Sequence, residues 1–178
     1  MIKKLLVPLA ALSFFVTGSE SAAPITQRDS YWDIEKQLFK FYRKSNNFCL
    51  DDNNTPTSID GRPLQAAKCD KTKSAQKFGY NLHTRQIVSM SKPGLCVQAK
   101  ELKEGTQLQL SKCDAKSQKQ LFDFYFKNLQ RVFYGFFQVR GTKLCLDDGG
   151  STETSVTNAN LWTCSYRNDN QQISPVKL

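Results

Sequence analysis

One pair of phrases occurs three times in this 178-residue chain. Its cysteines stand at 49, 69, 96, 113, 145 and 164, so gaps of 17 to 20 residues alternate with longer ones and sort the six into three couples. The first cysteine of each couple opens Cys49-Leu50-Asp51-Asp52, Cys96-Val97-Gln98-Ala99 and Cys145-Leu146-Asp147-Asp148. The second closes Leu64-Gln65-Ala66-Ala67-Lys68-Cys69, Leu108-Gln109-Leu110-Ser111-Lys112-Cys113 and Ala159-Asn160-Leu161-Trp162-Thr163-Cys164. Seven residues later comes a glutamine each time (Gln76, Gln120, Gln171), and two beyond it a large apolar residue (Phe78, Phe122, Ile173). A period near 48 residues held in one register means an array or a closed symmetric fold rather than an ordinary enzyme domain.

The local pattern is β. Phe39-Lys40-Phe41-Tyr42, Gln86-Ile87-Val88-Ser89-Met90 and Phe122-Asp123-Phe124-Tyr125-Phe126 alternate and are rich in aromatic or β-branched residues. Asp60-Gly61-Arg62-Pro63, Lys92-Pro93-Gly94, Glu104-Gly105 and Asp148-Gly149-Gly150 mark turns. These signals predict about four short strands per unit. One unit cannot bury its own apolar face, but three around an axis share a core. The 39% hydrophobic content and 12 Phe supply that core and exclude a wholly disordered chain. Leu38 to Lys44 precedes Cys49 much as Gly135 to Gly141 precedes Cys145, so residues 37–178 are expected to hold three complete units in one domain.

The first 23 residues read as a secretory signal. Lys3 and Lys4 precede an apolar run from Leu5 to Val16 that is too short to span a bilayer, and Ser21 and Ala23 supply the small residues for cleavage. Residues 24–36 form a leader, with a helical turn expected around Trp32 to Gln37. An exported, soluble chain keeps its cysteines oxidised. Six cysteines allow 15 pairings; the simplest is within units, Cys49–Cys69, Cys96–Cys113 and Cys145–Cys164. Each bridge would then constrain the unfolded chain by about 3 kcal/mol. Zinc is disfavoured, because no Cys-x-x-Cys occurs and His83 is the one histidine.

Three units with Cys-Leu-Asp, an apolar-Gln-x-x-x-Cys phrase and a Gln-x-aromatic strand resemble the ricin-type lectin family over about residues 37 to 178. The resemblance implies an all-β fold, the β-trefoil, in which a six-stranded barrel is capped by three hairpins. It also implies binding of galactose- or N-acetylgalactosamine-type glycans, with no cofactor, metal or catalysis. In this family the Gln-x-aromatic element is chiefly architecture, which casts Gln76, Gln120, Phe78 and Phe122 as core and network residues.

A galactose ring needs an aromatic plate for its C–H face, and a carboxylate and amides for its hydroxyls. The family's pattern puts the carboxylate two residues after the first cysteine. The plate lies two before the second, and a polar residue precedes the glutamine. Unit three supplies every part: Asp147, Trp162, Asn170 and Gln171, with Asn160 as a further polar neighbour. Unit one keeps Asp51, Gln65 and Gln76 as a weaker candidate site, but has Ala67 for the plate and Ala75 for the polar residue. Unit two has Gln98, Ser111 and Lys119, losing carboxylate and plate together. The competing structural roles are a core aromatic for Trp162 and a turn-closing carboxylate for Asp147.

An enzyme is disfavoured. Adjacent aspartates at 51–52 and 147–148 point to opposite strand faces and cannot flank one glycosidic bond. No nucleophile or phosphate-loop motif occurs, and His83 sits in a polar loop. The excess of 25 Lys+Arg over 16 Asp+Glu favours anionic partners. Lys68, Lys71, Lys73 and Lys77, with Lys112, Lys116 and Lys119, would hold sulfated glycans or anionic lipids if their faces adjoin; otherwise they are a solubilising surface. Export argues against nucleic acid. A protein-binding or protease-inhibitory trefoil is a third class. One shallow site binds a monosaccharide only near about 1 mM, so avidity calls for self-association or a toxin-like partner subunit. Asn53-Asn54-Thr55 is an N-glycosylation acceptor in a host with that machinery.

Overall fold

A computed structural model describes residues 37–41, 47–53, 61–129, 132–150 and 156–177. The secretory segment 1–23 and the leader 24–36 lie outside the described residues, and so does the helical turn expected there, except that Gln37 already opens the first strand. Unit one contains β1 (Gln37–Phe41), β2 (Phe48–Asp51), β3 (Arg62–Pro63), β4 (Gln65–Lys68) and β5 (Lys77–Asn81). Unit two contains β6 (Gln86–Ser89), β7 (Leu95–Ala99), β8 (Leu108–Lys112) and β9 (Phe122–Leu129). Unit three contains β10 (Val132–Val139), β11 (Leu144–Asp147), β12 (Thr157–Asn158), β13 (Asn160–Thr163) and β14 (Ile173–Lys177).

The outer strands of each unit build the barrel. β1 pairs antiparallel with both β14 and β5, β5 with β6, β9 with β10, and β10 with β14. Between β6 and β9 the ring is joined by the Phe122 amide, which donates to the Arg85 carbonyl at 2.8 Å. Phe39, Phe78, Phe122 and Phe137 fill the interior. Phe39 lies with its ring centroid 6.2 Å from Phe78 and 5.2 Å from Phe137, within the range of favourable aromatic contact.

Three hairpins, β2/β4, β7/β8 and β11/β13, close one end. A ring of main-chain bonds marks the axis on which they meet. Leu64 N–H donates to Leu108 O, Leu108 N–H to Ala159 O and Ala159 N–H to Leu64 O, each at 2.9 Å. All three residues are fully buried, so none of these polar groups has water as an alternative. The short strands extend this cycle: β3 pairs with β8 and β12 with β4. Of the turn expected at Asp60-Gly61-Arg62-Pro63, Asp60 lies outside the described residues, and Arg62-Pro63 form a strand instead. Proline is tolerated in β3 because that strand lies at the sheet's edge.

The three disulfides join the predicted partners, with Cα–Cα separations of 5.0, 5.0 and 4.9 Å. Beside each bridge sits the repeating glutamine, buried in a short 3-10 turn (Ser74–Gln76, Gln118–Gln120, Asp169–Gln171). Its Nε2 donates to the carbonyl before the second cysteine: Lys68 at 2.9 Å, Lys112 at 2.8 Å and Thr163 at 3.0 Å. Its Oε1 accepts from the amide after that cysteine: Asp70 at 2.8 Å, Asp114 at 2.7 Å and Ser165 at 2.8 Å. The glutamine therefore staples the chain on both sides of each bridge. This is a β-trefoil.

Candidate functional site

The site of unit three is built on the β11/β13 hairpin. Asp147 lies opposite Asn160 and Cys145 opposite Trp162. Opposed residues of an antiparallel pair share a face, as do alternate residues along a strand. Asp147, Asn160 and Trp162 therefore share the outer face, while Leu146 and Leu161 point into the core. Trp162 is 48% exposed, so it is not a core aromatic. Its indole leans over Gly105 of unit two, where an added Cβ would lie 3.7 Å from Cζ3. The same loop steadies β13 further on, since Glu104 Oε1 accepts from the Thr163 amide at 3.0 Å.

Asp147 is nearly buried, and its carboxylate is fixed at both oxygens. Oδ1 accepts from Gly149 N–H at 2.8 Å and Oδ2 from Asn168 Nδ2 at 3.0 Å. It does close its turn, yet a carboxylate has about four acceptor positions, and the described residues fill two of them. Asn170 is tied to the facing loop: its Nδ2 donates to Gly150 O at 3.1 Å and its carbonyl accepts from Asp148 N–H at 3.1 Å. Asn160 is half-buried, and its Oδ1 is buried with no hydrogen-bond partner among the described residues. Gln171 is only 1% exposed with its amide committed to the staple, so it supports the site from beneath and offers no direct contact.

Asn168 was not singled out from sequence. It caps the 3-10 turn by accepting from Asn170 N–H at 3.0 Å while its Nδ2 holds Asp147. The available signal was a cap-forming asparagine just before Asp169-Asn170-Gln171.

Unit one differs in detail. Asp51 is also nearly buried, but it takes three donors: Asn53 N–H at 2.7 Å, Gln76 Nε2 at 2.9 Å and Gln65 Nε2 at 3.4 Å. In front of it lies a concavity of about 440 Å³ lined by Asp51, Asn53, Gln65, Thr72, Lys73, Ser74 and Ala75. Gln76 is sealed beneath it, and Ala67 is buried at the plate position. In unit two the carboxylate's place is taken by Gln98, whose Oε1 accepts from Gln120 Nε2 at 2.8 Å; Gln86 Nε2 donates in turn to Gln120 Oε1 at 2.8 Å. Lys119 folds back to donate to the Lys100 carbonyl at 2.8 Å.

The second aspartate of each pair serves the interior. Asp52 is fully buried, with Oδ2 on Lys92 Nζ at 3.0 Å and Ser91 Oγ at 2.8 Å; Asp148 Oδ1 accepts from Gly150 N–H at 3.0 Å. His83 is exposed, in a turn whose amide donates to Asn81 Oδ1 at 2.9 Å. Among the described residues no three His, Cys, Asp or Glu side chains converge as a metal site requires. Lys71 and Lys73 follow Cys69 as Lys116 follows Cys113, so the pseudo-symmetry sets these two groups a third of a turn apart on different lobes.

The comparisons with known proteins agree with this architecture. A designed three-fold symmetric protein, ThreeFoil, superposes with a TM-score of 0.64 at 18% identity, over 80% of this chain and 98% of that one. A ricin B-like lectin of Macrolepiota procera, solved in complex with lactose, gives 0.59 at 15% identity over 81% and 97%. A non-toxic homologue of type II RIPs from Momordica charantia (bitter gourd), in complex with α-methyl-D-galactoside, gives 0.58 at 16% identity; this chain spans 79% of its own length and 47% of that chain. No curated protein matches the sequence. The family model described as the ricin-type β-trefoil lectin domain matches residues 37–173, most of the chain and all three cysteine couples. The chain belongs to the ricin-type β-trefoil lectin family.

Proposed function

We propose that this protein is a secreted lectin that recognises galactose- or N-acetylgalactosamine-type glycans, mainly through unit three. The observation that carries the reading is the half-exposed indole of Trp162 on the same strand face as Asn160, across from a carboxylate already aimed by two donors. The sugar's apolar face lies on the indole. Two of its hydroxyls donate to the remaining acceptor positions of Asp147, and the half-buried amides of Asn160 and Asn170 border the polar fringe. Three disulfides fit an exported protein, and the chemistry asks for no bond cleavage. Unit one keeps the carboxylate but lacks the aromatic plate, so it adds little for a neutral galactoside. A single site near about 1 mM suits a protein that gains avidity by self-association or with a partner subunit.

The test is galactose titration followed by Trp162 fluorescence in a Trp32→Phe background, which removes the other tryptophan. A saturable change is expected, and Asp147→Asn should weaken it by at least about tenfold, the loss of one charge-assisted bond. Retention on heparin together with indifference to galactosides would instead favour the lysine-rich faces. Protease inhibition with no glycan response would favour the protein-binding class.

A further inference from the structure

We propose that the concavity of unit one is a second binding site of different specificity, for a saccharide that carries a carboxylate or sulfate group. The proposal rests on the same reading of the repeat as a sugar cradle and assigns this copy its ligand class. With Ala67 and Ala75 where unit three has Trp162 and Asn170, there is no aromatic plate to grip a neutral ring, and neither position offers a polar side chain. Ala75 borders instead an open space of about 440 Å³ in front of Asp51. One wall is Asp51 with Gln65, which suits sugar hydroxyls; the opposite loop contributes Thr72, Lys73 and Ser74.

Lys73 occupies the position that Asn168 holds in unit three, each four residues beyond the second cysteine. There the neutral amide is consumed in holding Asp147; here Gln76 holds Asp51, so Lys73 is released from that task. Among the described residues Lys73 forms no ion pair. The nearby Asp70 is instead engaged by Thr72, with Oδ1 accepting from the Thr72 hydroxyl at 2.6 Å and its amide at 2.8 Å. That bonding holds the Asp70 carboxyl below the usual carboxylate range, with a smaller contribution from the charge of Lys73. An ammonium bordering a polar concavity makes its strongest bonds to anions. Because Asp51 faces the same space, the ligand must be bifunctional: hydroxyls towards Asp51 and the anionic group towards Lys73. A bare anion meets the repulsion of the Asp51 carboxylate and has no hydroxyl to donate to it.

The experiment uses calorimetric titration of a Trp162→Ala protein, which silences unit three, with galacturonic acid, galactose 6-sulfate, galactose and inorganic sulfate. One or both acidic sugars should bind, and which one tells carboxylate from sulfate. Galactose and inorganic sulfate should not bind. Lys73→Gln should weaken the acidic sugar about tenfold and Lys73→Arg should preserve it. Raising the salt from about 50 mM to about 500 mM should weaken it as well. Absence of acidic-sugar binding, insensitivity to Lys73→Gln, or equal binding of inorganic sulfate overturns the proposal. Galactose titration of the protein with Trp162 intact reports unit three alone, so failure there refutes the galactoside reading without touching this one.

Discussion

Gly149 connects the fold of unit three to its chemistry, and replacing it by alanine separates backbone strain from collision. Its φ is +66°, and so any side chain there adopts the left-handed region at about 1–2 kcal/mol. An added Cβ would also lie 2.2 Å from Asn158 O and 3.0 Å from Asn160 Nδ2. The first contact is with main chain and must open by about 1 Å to reach van der Waals distance, a displacement of the kind that costs about 1–3 kcal/mol. Gly94 is the control. Its φ is +84°, yet an added Cβ meets nothing within 4 Å. Gly94→Ala should therefore cost about 1–2 kcal/mol and Gly149→Ala about 2–5 kcal/mol in urea unfolding. The movement also pulls Gly149 N–H from Asp147 Oδ1 and shifts Asn160, so the galactose response of Trp162 should be lost in Gly149→Ala and kept in Gly94→Ala. Equal destabilisation of the two variants would refute the steric reasoning. A destabilised Gly149→Ala with undiminished galactose affinity would refute the coupling of this turn to the sugar.

Other perturbations follow from single contacts. Asn168→Ala removes the donor to Asp147 Oδ2 and the cap of the 3-10 turn; galactose affinity by Trp162 fluorescence should fall about tenfold, while unfolding shows a cap's loss of about 1 kcal/mol. Removing the third bridge by the double replacement Cys145→Ser and Cys164→Ser should lower stability by about 3 kcal/mol, read from urea midpoints. Burial is the chief cause raising the Tyr80 hydroxyl's pKa, against smaller opposing effects from Arg85. A raised pKa favours the neutral form in the folded state. Its contribution is thus complete below the unfolded value of about 10 and lost as pH rises through the folded one. Tyr80→Phe should flatten the fall of Tm above about pH 10. At neutral pH the same change should cost about 1 kcal/mol, because the Phe122 carbonyl loses its 2.7 Å donor.

The architecture was legible because each of its parts occurs three times. A cysteine couple, a glutamine seven residues on and a large apolar residue two beyond it define one staple and one core position per unit, and the structure uses them alike. The ring of Leu64, Leu108 and Ala159 was hidden, because its bonds are main-chain and its residues are merely apolar. Asn168 was hidden for the opposite reason. It stands where the units differ most, against Lys73 and Ser117, and its partner is 21 residues away in sequence. The concavity of unit one was illegible because sequence records the small side chain at Ala75 but not the volume that it borders.

The two aspartates that begin the same phrase are consequently not equivalent acceptors. In unit one the staple glutamine reaches past the main chain to Asp51, and with Asn53 and Gln65 it occupies three of about four acceptor positions. In unit two the same reach meets a neutral amide, Gln98, and the bond survives without a charge. In unit three Gln171 stops at Thr163 and Ser165, and among the described residues Asn168 alone reaches the outer oxygen of Asp147, leaving about two acceptor positions open. The staple is thus indifferent to what lies beyond it. That indifference lets one hairpin keep a neutral amide, another hold a nearly saturated carboxylate beside a lysine, and the third present an unsaturated carboxylate to an indole. On the proposed galactoside reading, the expected order of affinity follows from the acceptor positions left open and from the presence of Trp162, not from how closely each phrase matches the others.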